Sequence, residues 1–550
     1  MAPQRPGRQA IFEQFAADGI TTMFGNPGTV EQGFLDELTD VEGFRYILGL
    51  QETVAIGMAD GYARASERAA LVQLHSGVGL GNGVGMLYQA LRGHSPLVVI
   101  AGEAGIAYDA MDAQMAADLV SIAAPVTKYA TRVVHPDSVL RTLRRAVKIA
   151  LTPPRGPVFV ALPMDVLDLP TAEPAVPAAV PQTRTAPAPD LVDHAVRLLS
   201  NARRPVIIAG DGVSTAHAQP ELVRVAETLG ADVWLADTSE VNIDTTHPLY
   251  RGALGHMSGS VSAAAIRGAD AVLIVGTYAF PEVFPLLESP FEAGAPVLHV
   301  DLNAYEIGKN HPVDLGLVAD PKLTLDAIGT ALRQQQTPGE RDRTARRLQR
   351  RREETAVAGA PADDGHPDAY EAVLRELARR PLDDVVIFDE ALTASARLTA
   401  HLPPRRPGNY FLTRGGSLGV GIPGAIGVKL ARPNQSVLAF VGDGGSMYTI
   451  QALWTARRYN VDAKFIICNN GKYELLIDNL KEYQRQRGIS RRVLPESFAL
   501  TPDIGFVEVA RGLGVEGLRV DKPDLAGPAV EQMLAHDGPF LLDVFVDRAR

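Results

Sequence analysis

Short β-branched apolar runs, each closed by Gly, Asp or Asn and followed by residues at helical spacing, recur along the whole chain. That alternation leaves little choice of fold, because successive strand–helix–strand units build parallel sheets covered by helices. The clearest case is "VLAFVGDGGSMYTIQALWTARRYNVDAKFIICNNGKY", residues 437–473. Val437 to Val441 and Lys464 to Cys468 read as buried, neighbouring strands, and Met447, Ile450, Leu453 and Trp454 recur at helical spacing between them. A right-handed crossover puts Asp443 and Asn470 at the same, carboxyl end of a parallel pair, where open sheets bind ligands.

Similar runs lie near residues 21–24, 45–50, 70–75 and 97–101, then in "PVIIAG", "DVWLA", "AVLIVG" and "PVLHVD", and finally in "VVIFDE" and "FLLDVFV". A chain of 550 residues exceeds one core, and two polar or Pro/Ala-rich stretches divide it, 167–190 and about 334–369. The expectation is an α/β protein of three doubly wound domains with mostly parallel sheets, at 1–180, 190–335 and 365–550. The basic run "RDRTARRLQRRREE" in the second stretch reads as a solvated helix or linker.

A net charge of −11 argues against a nucleic-acid surface, and no apolar run has the length to span a membrane. The N-terminal residues form an amphipathic helix pattern rather than a signal-peptide block. Cys468 is the only cysteine, so no internal disulfide forms, and a cytoplasmic location is the expectation.

The loop chemistry is specific. Gly442, Gly444 and Gly445 let backbone N–H groups approach a phosphate, while Asp443 and the Asn470 side-chain oxygen are hard donors suited to Mg²⁺. Twenty-four positions, 445 through 468, separate Gly-Asp-Gly from Asn-Asn. A second Gly-Asp-Gly at 210–212 has Asp237 and Thr238 at the corresponding distance and reads as a plain turn.

The spaced pair of motifs resembles the signature of thiamine diphosphate enzymes. "FGNPGTVEQGFLDEL", "RYILGLQETVAIGMADGYARAS", "LHSGVGLGN" and "QALWTARRYN" are similar to benzoylformate decarboxylase, whereas "DLNAYEIGKNHPVDLGLVAD" resembles the acetolactate synthase branch. The resemblance runs along nearly the whole chain and implies pyrimidine-binding, central and diphosphate-binding domains in that order. It implies thiamine diphosphate and Mg²⁺ as cofactors, with Asp443, Asn470 and Lys472 at the metal. Gly444, Gly445, Ser446, Tyr448, Tyr473 and Thr393 fall on the diphosphate side, Pro27 and Gly28 on the pyrimidine side.

Glu52 matches the glutamate that bonds the pyrimidine ring nitrogen and so prepares the cofactor's nucleophilic carbon. Read alone, it is equally an acid favoured at a helix N-terminus. Gly416 resembles the backbone acceptor for the 4′-amino group, and Leu418 the wedge that bends the cofactor. Thr393 equally suits a helix cap. The family further implies a homodimer or homotetramer with active sites between subunits, and no nucleic-acid or membrane partner.

The reaction implied is non-oxidative decarboxylation of a small-molecule 2-oxo acid. Thr29 stands where benzoylformate decarboxylase carries a serine near the substrate carboxylate, and His75 matches its first active-site histidine. The second histidine of that family is missing: "TYAFPEVFPLLESP" has none, and His256 lies on an earlier loop. Gln114 resembles the active-site glutamine of the acetolactate synthase and benzaldehyde lyase branch, or is a solvent-facing helical residue. Acyloin or acetohydroxy-acid carboligation therefore stays open, as does a catalytically silent cofactor-binding homologue. Flavin chemistry ranks behind them, because the paired arginines of the flavin-binding branch are unmatched. Leu475, Ile477 and Asn479 are candidates for lining the substrate pocket.

Overall fold

The structure, a computed structural model, describes residues 4–255, 257–358, 367–381, 384–490 and 493–546. Three large sheets of parallel strands dominate its architecture, beside a two-stranded antiparallel pair of Arg5–Pro6 with Pro170–Thr171. By compactness the chain forms two units, one of residues 1–181, 367–395 and 413–550 and one of residues 182–366 and 396–412.

The first sheet contains β1 (Thr22–Gly25), β2 (Arg45–Leu48), β3 (Ala70–His75), β4 (Leu97–Glu103), β5 (Tyr129–Arg132) and β6 (Val158–Pro163), in the order β2-β1-β3-β4-β6-β5. All its pairings are parallel. The strand order reverses between β1 and β3, so the loop after β1 and the end of β3 flank a switch-point crevice. Helix α1 (Glu52–Ser66) starts at the edge beyond β2, capped by the Gln51 side chain on the Thr53 N–H. Helix α2 (Ser76–Arg92) starts directly after β3.

In the second unit, β7 (Pro205–Ala209), β8 (Asp232–Leu235), β9 (Tyr250–Ala253), β10 (Ala271–Val275), β11 (Val297–Asp301) and β12 (Leu315–Val318) form a parallel sheet ordered β9-β8-β7-β10-β11-β12. Apolar clusters cover both its faces. At its carboxyl edge, Lys309 sits 3.4 Å over the Tyr278 ring and the His299 imidazole contacts the Thr277 carbonyl at 2.9 Å. Those side chains leave a cavity of about 10 Å³. The basic run forms helix α3 (Pro338–Ala358), and its Arg347 and Arg351 bond the Asp232 carboxylate at 3.0 and 2.6 Å. It is thus a helix tied to β8 rather than a free linker. The Gly-Asp-Gly at 210–212 is more than a turn: buried Asp211 accepts bonds from the N–H and hydroxyl of Ser239, the Glu240 N–H, the Asn242 amide and the Thr238 hydroxyl.

Back in the first unit, β13 (Val385–Glu390), helix α4 (Gly421–Ala431), β14 (Ser436–Gly442), helix α5 (Asp443–Ser446), helix α6 (Ala452–Arg458), β15 (Ala463–Asn469), helix α7 (Glu474–Gln486), β16 (Glu516–Val520) and β17 (Phe540–Phe545) follow. Their strands run parallel in the order β13-β14-β15-β17-β16. The helix expected through Met447–Trp454 is interrupted. Residues 447–451 instead form turns closed by bonds from Tyr448 N–H to Gly445 and from Thr449 N–H to Ser446. Two buried hydroxyls accompany the break: Ser446 bonds the Asp443 carbonyl, an acceptor that a continuing helix would use, and Thr449 anchors the turn to the Gly419 carbonyl outside the segment. Among the described residues, no helix is long and apolar enough to cross a membrane.

Helices α1 and α4 join the first and third sheets through glycines. A Cβ on Gly61 would collide with the Gly424 carbonyl and one on Gly427 with the Met58 carbonyl, while one on Gly57 would lie 2.7 Å from the Pro423 ring. Around this contact Asp60 is buried against the Ser95 hydroxyl, and Arg432 donates to the Ala65 carbonyl. Gly427→Ala should lower stability by about 1–3 kcal/mol through overpacking against backbone that cannot rotate away. Gly512→Ala, where a Cβ meets nothing within 4 Å, serves as the control. Equal thermal midpoints for the two variants would refute the proposed packing constraint.

Candidate active site

Parallel pairing of β14 and β15 sets Val441 opposite Ile467 and Gly442 opposite Cys468, so both motif loops leave the same sheet edge. Asp443 is buried there. Its Oδ1 accepts the Gly444 N–H at 2.7 Å, and its Oδ2 accepts the N–H groups of Asn470 and Gly471 at 3.1 and 2.6 Å. Asn470 Oδ1 in turn accepts the Lys472 N–H at 3.1 Å. The turn therefore gathers one carboxylate, one amide oxygen and the main chain of Lys472.

Among the described residues, no three His, Cys, Asp or Glu side chains gather as a metal site. The donor set around Asp443 is of another kind. One carboxylate with neutral oxygens suits a hard ion that completes its shell with phosphate and water, so the residues fit Mg²⁺. Gly444 and Gly445 are buried beside it, and a Cβ on Gly444 would lie 2.5 Å from the Tyr473 ring. Burial, then neighbouring Tyr448 and Asp443, push the Tyr473 phenol up. Ser446 spends its hydroxyl within the turn, whereas Tyr448 and Thr393 are exposed.

Gly416 is exposed with a φ of +78°, a conformation that favours glycine, and Leu418 is half-buried. A residue not singled out from sequence holds this loop. Glu390, at the end of β13, is buried and accepts the N–H groups of Gly419 and Gly421, both at 2.6 Å. Burial pushes its carboxyl up to about 7 against those bonds.

At the first sheet, Glu52 is 7% exposed at the start of α1. Its Oε2 accepts the Asn82 amide at 3.0 Å, and a Cβ on Gly79 would lie 2.7 Å from its Oε1. His75 ends β3 with Nδ1 2.9 Å from Oε2 of Glu31. Pro27 and Thr29 are exposed on the loop after β1, and half-buried Gly28 lies flush against the His75 ring. Gln114 is exposed on a turn rather than on a helix. Glu31 and Asn82, like Glu390, act through partners distant in sequence, and only local motif matching pointed at their neighbourhood.

The segment of Leu475, Ile477 and Asn479 is helix α7; Ile477 is buried and the other two are half-buried. The histidine-free stretch 277–290 follows β10 as irregular chain, and His256 lies outside the described residues.

Family models described as thiamine pyrophosphate enzyme N-terminal TPP binding, central and C-terminal TPP binding domains match residues 5–122, 192–328 and 393–544. Benzoylformate decarboxylase of Pseudomonas aeruginosa is 34% identical over 541 residues, covering 97% of this chain and 98% of that one. A probable acetolactate synthase large subunit of Methanocaldococcus jannaschii is 29% identical over 564 residues, covering 99% and 92%. Among solved structures, the thiamine diphosphate-dependent 4-hydroxybenzoylformate decarboxylase of Rhodococcus jostii RHA1 superposes with a TM-score of 0.85 at 28% identity, covering 99% of this chain and all of that one.

Glu390→Ala should leave the Gly419 and Gly421 amides without their acceptor, at about 1–3 kcal/mol. Hydrogen exchange should then accelerate in the 416–421 loop while β13 stays protected. Unchanged exchange would show that the carboxylate does not hold the loop.

Proposed function

The chain belongs to the thiamine pyrophosphate-dependent enzyme family, and from that premise we propose that it catalyses Mg²⁺-dependent, non-oxidative decarboxylation of a 2-oxo acid. The observation that carries the proposal is buried Glu52, held by Asn82 over Gly79 at the sheet edge that also presents His75. Thiamine diphosphate, when bound, supplies a nucleophilic carbon and an electron sink beside the departing carboxylate.

The protein's part is positioning and proton transfer. Asp443, Asn470 Oδ1 and the Lys472 main-chain oxygen would hold Mg²⁺, with Gly444, Gly445, Ser446, Tyr448, Tyr473 and Thr393 around the diphosphate. Glu52 would hold a proton at the pyrimidine nitrogen, with Pro27 and Gly28 along that ring. The Gly416 carbonyl would accept from the amino group, and Leu418 would hold the bend. His75 would move a proton to or from the reacting species, and Thr29 would face the substrate carboxylate. Domains at 1–180, 190–335 and 365–550, a cytoplasmic homodimer or homotetramer, and sites between its subunits belong to the same reading.

Acyloin or acetohydroxy-acid synthesis is the second reading, favoured by acetolactate synthase relatives that match along the whole chain. Gln114, exposed on its turn, would then contact the bound acyl donor. Purified protein with thiamine diphosphate, Mg²⁺ and a panel of 2-oxo acids, with and without acceptor aldehydes, separates the two. CO₂ with free aldehyde supports the decarboxylase, and CO₂ with a condensed product supports the carboligase. Cofactor binding without CO₂ from any acid would overturn both.

Glu52→Gln should keep cofactor binding measurable while lowering turnover at least 100-fold, at the lower end of the range for losing a general acid–base group. Wild-type turnover would remove the role assigned to Glu52. Asp443→Ala should weaken Mg²⁺-dependent binding of thiamine diphosphate, read by calorimetry; wild-type affinity would overturn the metal assignment.

A further inference from the structure

Glu31 takes no part in the proposed chemistry, yet it is a buried acid held against His75. It closes the short turn Thr29–Glu31 after β1 and is 4% exposed. Its Oε1 accepts the main-chain N–H of Gly102, at the end of β4, at 3.0 Å. Its Oε2 lies 2.9 Å from Nδ1 of His75, at the end of β3. A Cβ on Gly102 would approach Oε1 to 2.5 Å, and a Cβ on Gly28 would fall within the His75 ring. Both glycines are thus spaces into which the pair is fitted.

We infer that Glu31 is the positioning residue for His75: its buried carboxylate, hung from the Gly102 N–H, keeps the proton on Nδ1 and leaves Nε2 as the proton-accepting atom. An ionised carboxylate only accepts, so the ring nitrogen facing it carries hydrogen, and the opposite nitrogen presents a lone pair. When Nε2 takes a proton, the resulting imidazolium is stabilised by a buried charge that solvent screens only weakly. Among the titratable groups around the pair, Tyr46 on β2 bonds Gln73, and its phenol is pushed up first by burial and then by Glu31, Tyr459 and Glu52. Burial raises the Glu31 carboxyl itself, against bonds from His75, Gly102 and Gly28.

The Gly102 N–H makes the inference sharp. In Glu31→Gln that donor retains an acceptor only if the amide oxygen takes the place of Oε1, which turns the NH₂ toward Nδ1. Nδ1 must then be bare and Nε2 must carry the hydrogen. The isosteric variant should therefore reverse the tautomer of His75 and shift the associated limb of the rate–pH profile to lower pH, since a stabilising negative charge is gone.

The catalytic part of this inference rests on the proposed function; the tautomer does not. Full-length, cofactor-free protein labelled with ¹⁵N-histidine, with His75→Ala used for assignment, should show the Nδ1–H form in wild type and the Nε2–H form in Glu31→Gln. In the holoenzyme, Glu31→Gln should lower kcat at least tenfold when His75 is present and less than twofold in the His75→Ala background. One tautomer in both proteins, or equal losses in both backgrounds, overturns the inference. His75→Ala at wild-type rate overturns the catalytic reading of His75, while the tautomer comparison still decides the pairing. If Glu31→Gln does not fold, Glu31→Asp keeps a carboxylate and should retain the Nδ1–H form; the Nε2–H form there overturns the inference.

Discussion

The contact on which most of the first unit depends is made of absent side chains. Helices α1 and α4 approach until Gly61 meets the Gly424 carbonyl and Gly427 meets the Met58 carbonyl. Glycine inside a helix is unfavourable by about 1 kcal/mol relative to alanine, so such positions are retained only where something larger cannot fit. The two helices also begin at points that the proposed reaction would use. Glu52 is the first residue of α1, and α4 follows directly on the loop of Gly416 and Leu418. Close approach in the helix bodies therefore fixes the starting points of both side-chain sets.

Carboxylates set the loops at those starting points. Glu390 gathers two short N–H bonds at the entry to α4, and Asp443 gathers three main-chain donors across the motif turns. The two Gly-Asp-Gly sequences show how context decides the outcome. Asp211 is enclosed by Thr238, Ser239, Glu240 and Asn242 of a single neighbouring loop, two of them donating from hydroxyls. Asp443 instead faces the Asn-Asn-Gly turn that leaves the adjacent parallel strand. The same tripeptide thus clasps a loop in one domain and forms an oxygen-lined turn in another.

Much of this was legible in sequence, and the physical reasons are particular. Val437–Val441 and Lys464–Cys468 are buried on both faces of a parallel sheet and so read as continuous apolar runs. Edge strands such as Tyr129–Arg132, Tyr250–Ala253 and Glu516–Val520 carry polar residues and gave no such run. Asp443 and Asn470 could be found because one strand–helix–strand unit separates them, a fixed length along the chain. Glu31 could not: its partners His75 and Gly102 lie 44 and 71 residues away and meet it only once three strands are side by side. The break at 447–451 was hidden for a related reason, since Thr449 leaves the helical pattern to bond Gly419, 30 residues earlier.

Gly28 has a consequence for how this sequence can change over time. Its backbone is ordinary extended chain, with φ of −146°, and would accept any residue on conformational grounds. What forbids a side chain there is the His75 ring. The two positions are therefore epistatic: alanine at 28 is excluded while the histidine stands and becomes admissible once it is gone. A lineage that abandoned the imidazole could drift at 28, and one that kept it could not, so the pair would record in its order of substitution which chemistry the ancestor used.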